Sequence, residues 1–217
     1  MSVPVTGAGR REVVSTAQRL SAWGLNVGTA GNVGLRADSG LLVTPSGVPA
    51  EDLREQDIVA LDAVGVPQPG QLAPTSEWRL HVAVLAARPD VVGIVHTHSP
   101  EATAAACIAR PLPAVHYVVA RTGRSTVPCA RYATYGSEEL AVNVVGALGD
   151  GMACLMANHG LLTVGPTLEA AVALAADVEW LARVWRRASA LGDPVVLPDD
   201  EIARVAERFR TYGQPPR

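Results

Sequence analysis

A chain of 217 residues with 48% hydrophobic and 18% charged side chains is globular and long enough for a substantial core; with 4% aromatics, that core must come from Ala, Val and Leu. A net charge of −3 without a basic block argues against nucleic acid as a partner. No stretch approaches about 18 uninterrupted apolar residues and the amino terminus lacks a signal-peptide layout, so no membrane partner is expected and the expected location is the cytoplasm.

Residues 11–23 read as an amphipathic helix closed by Gly24. The Gly-rich segment Gly28-Thr29-Ala30-Gly31-Asn32 leads into a strand over 33–37, and Asp38-Ser39-Gly40 marks a hairpin turn into a second strand at 41–43. Thr44-Pro45-Ser46-Gly47 is a loop, and residues 58–61 are a further strand. A Pro- and Gly-rich connection over 67–74 precedes a helix from near Ser76 to about Ala87, which Pro89-Asp90 breaks before the apolar run Val91-Val92-Gly93-Ile94-Val95. Residues 101–108 look helical, ended by Pro111 and Pro113, and 115–119 read as a short strand carrying His116 and Tyr117. Ser137 is a plain N-cap for a helix to about Leu148. An apolar strand at 152–156 ends at Asn158-His159-Gly160, followed by a long Ala-rich helix over 167–191 and a final helix over 199–209. Cys107, Cys129 and Cys154 fit neither a disulfide framework nor a Cys-x-x-Cys knuckle and read as buried thiols. With no repeat and no linker, residues 1–217 read as one α/β domain, and the early hairpin favours a largely antiparallel or mixed sheet.

The run 91–95 closes as His96-Thr97-His98. In an extended strand, side chains two apart share a face, so two imidazoles stand side by side where the buried run ends. That pair suits a borderline-soft divalent cation such as zinc, which takes three or four protein ligands. His159, at the mouth of another apolar strand and beside a Gly that can bend the backbone, is the natural third ligand. Glu77, at the start of a helix, is the candidate fourth, although the helix dipole alone could account for a carboxylate there. His81 lies one turn further on the same side of that helix and packs or orients Glu77 more readily than it ligates. His116 reads as a core histidine. Three His with a movable carboxylate form a catalytic arrangement, compatible with metal-assisted hydrolysis or with enolate chemistry. Gly31-Asn32, Ser46-Gly47 and Thr75-Ser76 are short clusters of Gly, amide and hydroxyl residues that suit a phosphate. Thr75-Ser76 directly precedes Glu77, which would put such an anion beside the metal.

These segments, together with Gly24-Leu25-Asn26, Pro74-Thr75-Ser76-Glu77-Trp78-Arg79, Pro113-Ala114-Val115-His116-Tyr117, the run from Pro128-Cys129-Ala130-Arg131-Tyr132 to Tyr135-Gly136, and Asn158-His159-Gly160-Leu161, resemble the class II aldolase/adducin family in the same order from about Gly24 to Tyr212. The resemblance is to its bacterial fuculose-phosphate aldolase branch. It implies a three-layer α/β/α fold around a mainly antiparallel sheet, assembled as a homotetramer with sites at subunit interfaces. It implies zinc, with Mn or Co as alternatives, held by Glu77, His96, His98 and His159, with Glu77 leaving the metal to act as base and acid. It also implies a phosphate pocket from Gly31, Asn32, Ser46, Gly47, Thr75 and Ser76, with Tyr117 as proton donor or acceptor at the aldehyde oxygen and Tyr135 and Tyr212 lining the aldehyde side. The expected reaction is reversible cleavage of a ketose 1-phosphate, L-fuculose 1-phosphate first among them, to dihydroxyacetone phosphate and an aldehyde. A pentulose-phosphate 4-epimerase, a methylthioribulose-phosphate dehydratase and a non-catalytic adducin-like module are the alternatives. Tyr135 stands where the pattern has Phe, and Arg121 and Arg124 where it has small residues. These departures bear on the sugar rather than the chemistry.

Overall fold

A computed structural model describes residues 7–212; residues 1–6 and 213–217, and with them the start of the amino-terminal segment on which the leader expectation bears, lie outside the described residues. The chain runs α1 (Gly7–Ala22), β1 (Asn32–Ala37), β2 (Gly40–Val43), β3 (Val59–Asp62), α2 (Trp78–Ala87), β4 (Gly93–Thr97), α3 (Pro100–Ala106), β5 (Cys129–Ala130), α4 (Glu138–Leu148), β6 (Ala153–Met156), β7 (Gly160–Gly165), α5 (Leu168–Leu191) and α6 (Asp199–Phe209). The strands form one sheet in the order β3-β2-β1-β4-β7-β6-β5. Every pairing is antiparallel except that of β5 with β6.

Alternate strand residues face two separate cores, which explains why the strands read as nearly continuous apolar runs. Val33, Leu35, Val95, Leu155 and Leu161 join α1, α3, α5 and α6 on one face. Leu41, Val43, Ile94, Met156 and Leu162 join α2 and α4 on the other. The three-layer α/β/α arrangement follows, with β4 in the centre of the sheet. No helix among the described residues is long and apolar enough to cross a membrane.

The local signals act as the chemistry of caps requires. Ala37 pairs with Gly40, so Asp38 and Ser39 are the two loop residues of the hairpin. Ser137 Oγ accepts from Leu140 N at 3.1 Å, and Thr167 Oγ1 accepts from Ala170 N at 3.1 Å. Ser99, before α3, makes no such side-chain bond. There the cap comes from a distant element: the buried Glu179 carboxylate of α5 accepts from Glu101 N at 3.0 Å and Ala102 N at 2.8 Å. Glu179→Ala leaves those two donors without their acceptor. The expected cost is about 2 kcal/mol, or a fall of about 4–8 °C in melting midpoint. Thermal unfolding followed by circular dichroism checks it, and an unchanged midpoint contradicts it.

Four expectations are corrected. Residues 115–119 are not a strand: Tyr117–Thr122 is a 3-10 turn. His116 Nδ1 accepts from Val118 N and Gly123 closes the turn in a left-handed conformation, so this β-branched segment satisfies its backbone locally instead of joining the sheet. The strands at 129–130 and 160–165 are additional to those read from the sequence. Cys154 is buried and Cys129 half-buried, but Cys107, just past α3, is exposed. Finally, the bend at His159 is made by Asn158, with φ of 53°, and not by Gly160.

Candidate metal centre

The central strand sets the site. His96 pairs across the ladder with Asn32 of β1 and with Leu162 of β7. It faces the α2 side of the sheet, where α2 begins immediately after Glu77. His98 follows the strand end, and the turn between β6 and β7 delivers His159. Gly160 makes room for them: a Cβ there would overlap Thr97 O and press on the His98 and His96 rings at 3.2 and 3.3 Å.

The three rings stand edge to face, at 69°, 87° and 85° to one another, with centroids 4.8, 4.9 and 5.0 Å apart. Their ligating nitrogens all lie within 4.8 Å of each other. His96 Nδ1 donates to Leu161 O at 2.9 Å, which turns its Nε2 lone pair inwards. That Nε2 lies 2.9 Å from His98 Nε2 and 3.1 Å from Glu77 Oε2, while Glu77 Oε1 lies 3.4 Å from His159 Nε2. Glu77 is only 5% exposed, and its Oε1 is buried without a hydrogen-bond partner.

Inward-facing ring nitrogens beside a buried carboxylate oxygen with no hydrogen-bond donor form a donor set that suits a cation. Three imidazoles and one carboxylate are also zinc's preferred chemistry. The His96/His98/His159 cluster is therefore compatible with a divalent metal such as zinc. Electrostatics agree. Burial alone would raise the Glu77 carboxyl, but the charge of His96, its hydrogen bond, the charge of His159 and the Asn32 amide hold it well below the ordinary carboxylate range. Burial, followed by the neighbouring imidazoles, pushes His98 down to about 4 and lowers His159, which leaves their lone pairs free near neutrality. Burial alone would lower His96, but the negative charge of Glu77 beside it, with the hydrogen bonds to Glu77 and Leu161 O, raises it.

One cleft joins this cluster to the loops. It is lined by Gly31, Asn32, Ser46, Gly47, Thr75 and Ser76, and also by Glu77, His98, His159 and Tyr135. His96 lies beneath it, fully buried. Tyr117 and Tyr212 are elsewhere, together in a second cleft with Arg121, Arg208 and Phe209. Arg121 is paired with Asp177 at 2.5 Å, and Arg124 with Asp150, also at 2.5 Å. His116 is half-buried against Tyr117 and Trp180. Asn26, to which the sequence reading gives no role, accepts at Oδ1 from His98 N at 2.9 Å and so ties the segment before the Gly-rich loop to the histidine cluster. Its place just after the helix-ending Gly24-Leu25 gives no local hint of that contact.

His81 does not ligate. It is fully buried, and burial pushes its imidazole from the ordinary 6.5 down to about 4. Between those values the unfolded chain takes up a proton that the folded protein refuses, so stability falls as pH drops from 6.5 towards 4. The His81 share is on the order of 3 kcal/mol. Urea unfolding of metal-free protein at pH 7 and pH 5 should show about 2 kcal/mol of that loss, and His81→Gln should make it smaller. An identical loss in that variant contradicts the assignment.

A three-layer α/β/α sandwich that brings three imidazoles and a carboxylate together beside loops of Gly, amide and hydroxyl residues has the make-up of a metal-site enzyme. Within that class the chain belongs to the class II aldolase and adducin family, whose N-terminal domain model matches residues 11–186. It is 47% identical to a 5-methylthioribulose-1-phosphate/5-deoxyribulose-1-phosphate aldolase of Rhodospirillum rubrum, over 94% of this chain and 92% of that protein. It is 45% identical to an L-fuculose phosphate aldolase of Escherichia coli K12, over 94% of each. A solved L-fuculose 1-phosphate aldolase superimposes with a TM-score of 0.91 at 37% identity, covering 94% of this chain and 97% of the other.

Proposed function

We propose that the protein is a metal-dependent aldolase that reversibly cleaves a ketose 1-phosphate between C3 and C4 to dihydroxyacetone phosphate and an aldehyde. The observation that carries this reading is the position of Glu77. One buried carboxylate touches two imidazoles of the cluster and also borders the cleft with the anion loops. A base so placed acts on the carbon next to a carbonyl only if the phosphate end of the substrate is anchored a few atoms away.

Glu77, His96, His98 and His159 would hold the metal, which when bound supplies a Lewis acid for adjacent carbonyl and hydroxyl oxygens. Backbone N–H groups at Gly31 and Gly47, with Asn32, Ser46, Thr75 and Ser76, would bind and orient the phosphate. Glu77 would deliver the proton to C3 in cleavage and remove it in synthesis. Tyr117 would take the proton from the C4 hydroxyl. It shares no cleft with Glu77 in one chain, so it would serve a neighbouring copy, consistent with a homotetramer whose sites lie between subunits. The exposed Tyr212 and Tyr135 would flank the aldehyde half.

L-Fuculose 1-phosphate is the first candidate substrate. The 47% identity to the Rhodospirillum rubrum protein favours 5-deoxyribulose 1-phosphate and its methylthio analogue as a second. All three share the dihydroxyacetone phosphate half and differ only in the aldehyde. Zinc-loaded protein should release dihydroxyacetone phosphate from at least one of the three and lose that activity in chelator. Turnover unaffected by chelator, or no release from any of them, overturns the reading.

A further inference from the structure

Four residues beyond Glu77, on α2, His81 is enclosed against β1. Its Nε2 lies 2.5 Å from Asn32 Oδ1, and Asn32 Nδ2 donates to Glu77 Oε2 at 3.0 Å. The two ends of an amide have nearly the same shape and opposite function. A carboxylate only accepts, so the NH2 end must face Glu77 and the oxygen must face His81. That oxygen also only accepts, so His81 must donate from Nε2 and carry no hydrogen on Nδ1. Nδ1 is indeed a buried atom without a partner. It lies against Gly34 of β1, where a Cβ would overlap the ring. The space and the tautomer both serve one contact.

Asn32 also lines the anion cleft. Its NH2 group has two hydrogens: one goes to Glu77, and the second is left for an anion. We infer that His81 is a positioning residue that, by donating to Oδ1, locks the Asn32 amide with its NH2 between the Glu77 carboxylate and the phosphate cradle. In the reversed amide an oxygen would confront two anions at once, which repels both the base and the substrate. Among the described residues, the amide's side-chain hydrogen bonds are those to His81 and Glu77. The inference rests on the reading of the cleft as a phosphate site.

A double-mutant cycle tests it without turnover, using calorimetric titration of inorganic phosphate into zinc-loaded protein. His81→Leu should weaken phosphate binding about tenfold. His81→Gln, which keeps a donor, should stay within about twofold of the parent. In an Asn32→Ala background His81→Leu should cost nothing further, and zinc content should be the same throughout. Equal losses in the Leu and Gln variants, or costs that add in the cycle, overturn the inference and leave the cradle intact. Parent protein that binds zinc but no phosphate overturns both the cradle reading and this inference. If His81→Leu does not fold, Gly34→Ala, which displaces the same ring, takes its place in the cycle.

Discussion

Glu77→Gln should retain one zinc per chain and lose about two to four orders of magnitude in kcat, the usual range for removing a positioned acid–base group. The amide is nearly isosteric, still presents an oxygen to Asn32 Nδ2 and leaves the three imidazoles untouched. What it cannot do is carry a proton. Because Glu77 is only 5% exposed, no solvent carboxylate or buffer can readily replace it. Metal analysis and steady-state kinetics on the same preparation make the comparison. Full turnover would remove Glu77 from proton transfer. Loss of zinc together with activity would mean that the carboxylate is chiefly a ligand.

The second large effect is on the metal itself. His159→Ala removes one of three imidazoles whose ligating atoms lie within 4.8 Å of each other. A four-ligand zinc site supplies about 10–16 kcal/mol, so one ligand's share is about 3 kcal/mol and affinity should fall roughly a hundredfold. Turnover should follow zinc occupancy and recover in part at high zinc. His159 is half-buried at the cleft wall, so free imidazole can reach the vacated space and should restore some activity. The same change at His96 should be harsher. His96 is fully buried and donates to Leu161 O, so its loss also strips a carbonyl of its partner. Wild-type zinc affinity in His159→Ala would exclude this histidine from the centre.

Much of the fold was legible because local chemistry and tertiary structure agree. The Asp38-Ser39-Gly40 turn, the Ser137 and Thr167 caps and the 199–209 helix each depend on residues within a few positions of one another. The parity of His96 and His98 was legible for the same reason, since a strand alternates whatever it pairs with. Other features depend on partners that sequence spacing does not reveal. The strand at 160–165 carries no turn signal after Gly160, because its hairpin bends at Asn158. The strand at 129–130 is two residues long and exists through β6. The β-branched run at 115–119 has the composition of a strand, but His116 Nδ1 bonds Val118 N and turns it into a 3-10 segment. Glu179 capping α3 and Asn26 holding His98 are contacts across 77 and 72 positions. In the site, the residues joined by chain-local geometry were found readily, and those that orient them from other elements were not.

X-ray absorption at the zinc edge, on protein loaded with one equivalent of metal, reads the coordination directly. The expected spectrum has three imidazole nitrogens at about 2.0–2.1 Å and one oxygen near the same distance, the nitrogen count falling to two in His159→Ala. Sulfur at about 2.3 Å, which would put Cys ligands on the metal, or a nitrogen count unchanged by the substitution, would mean that these four side chains do not meet on a common ion.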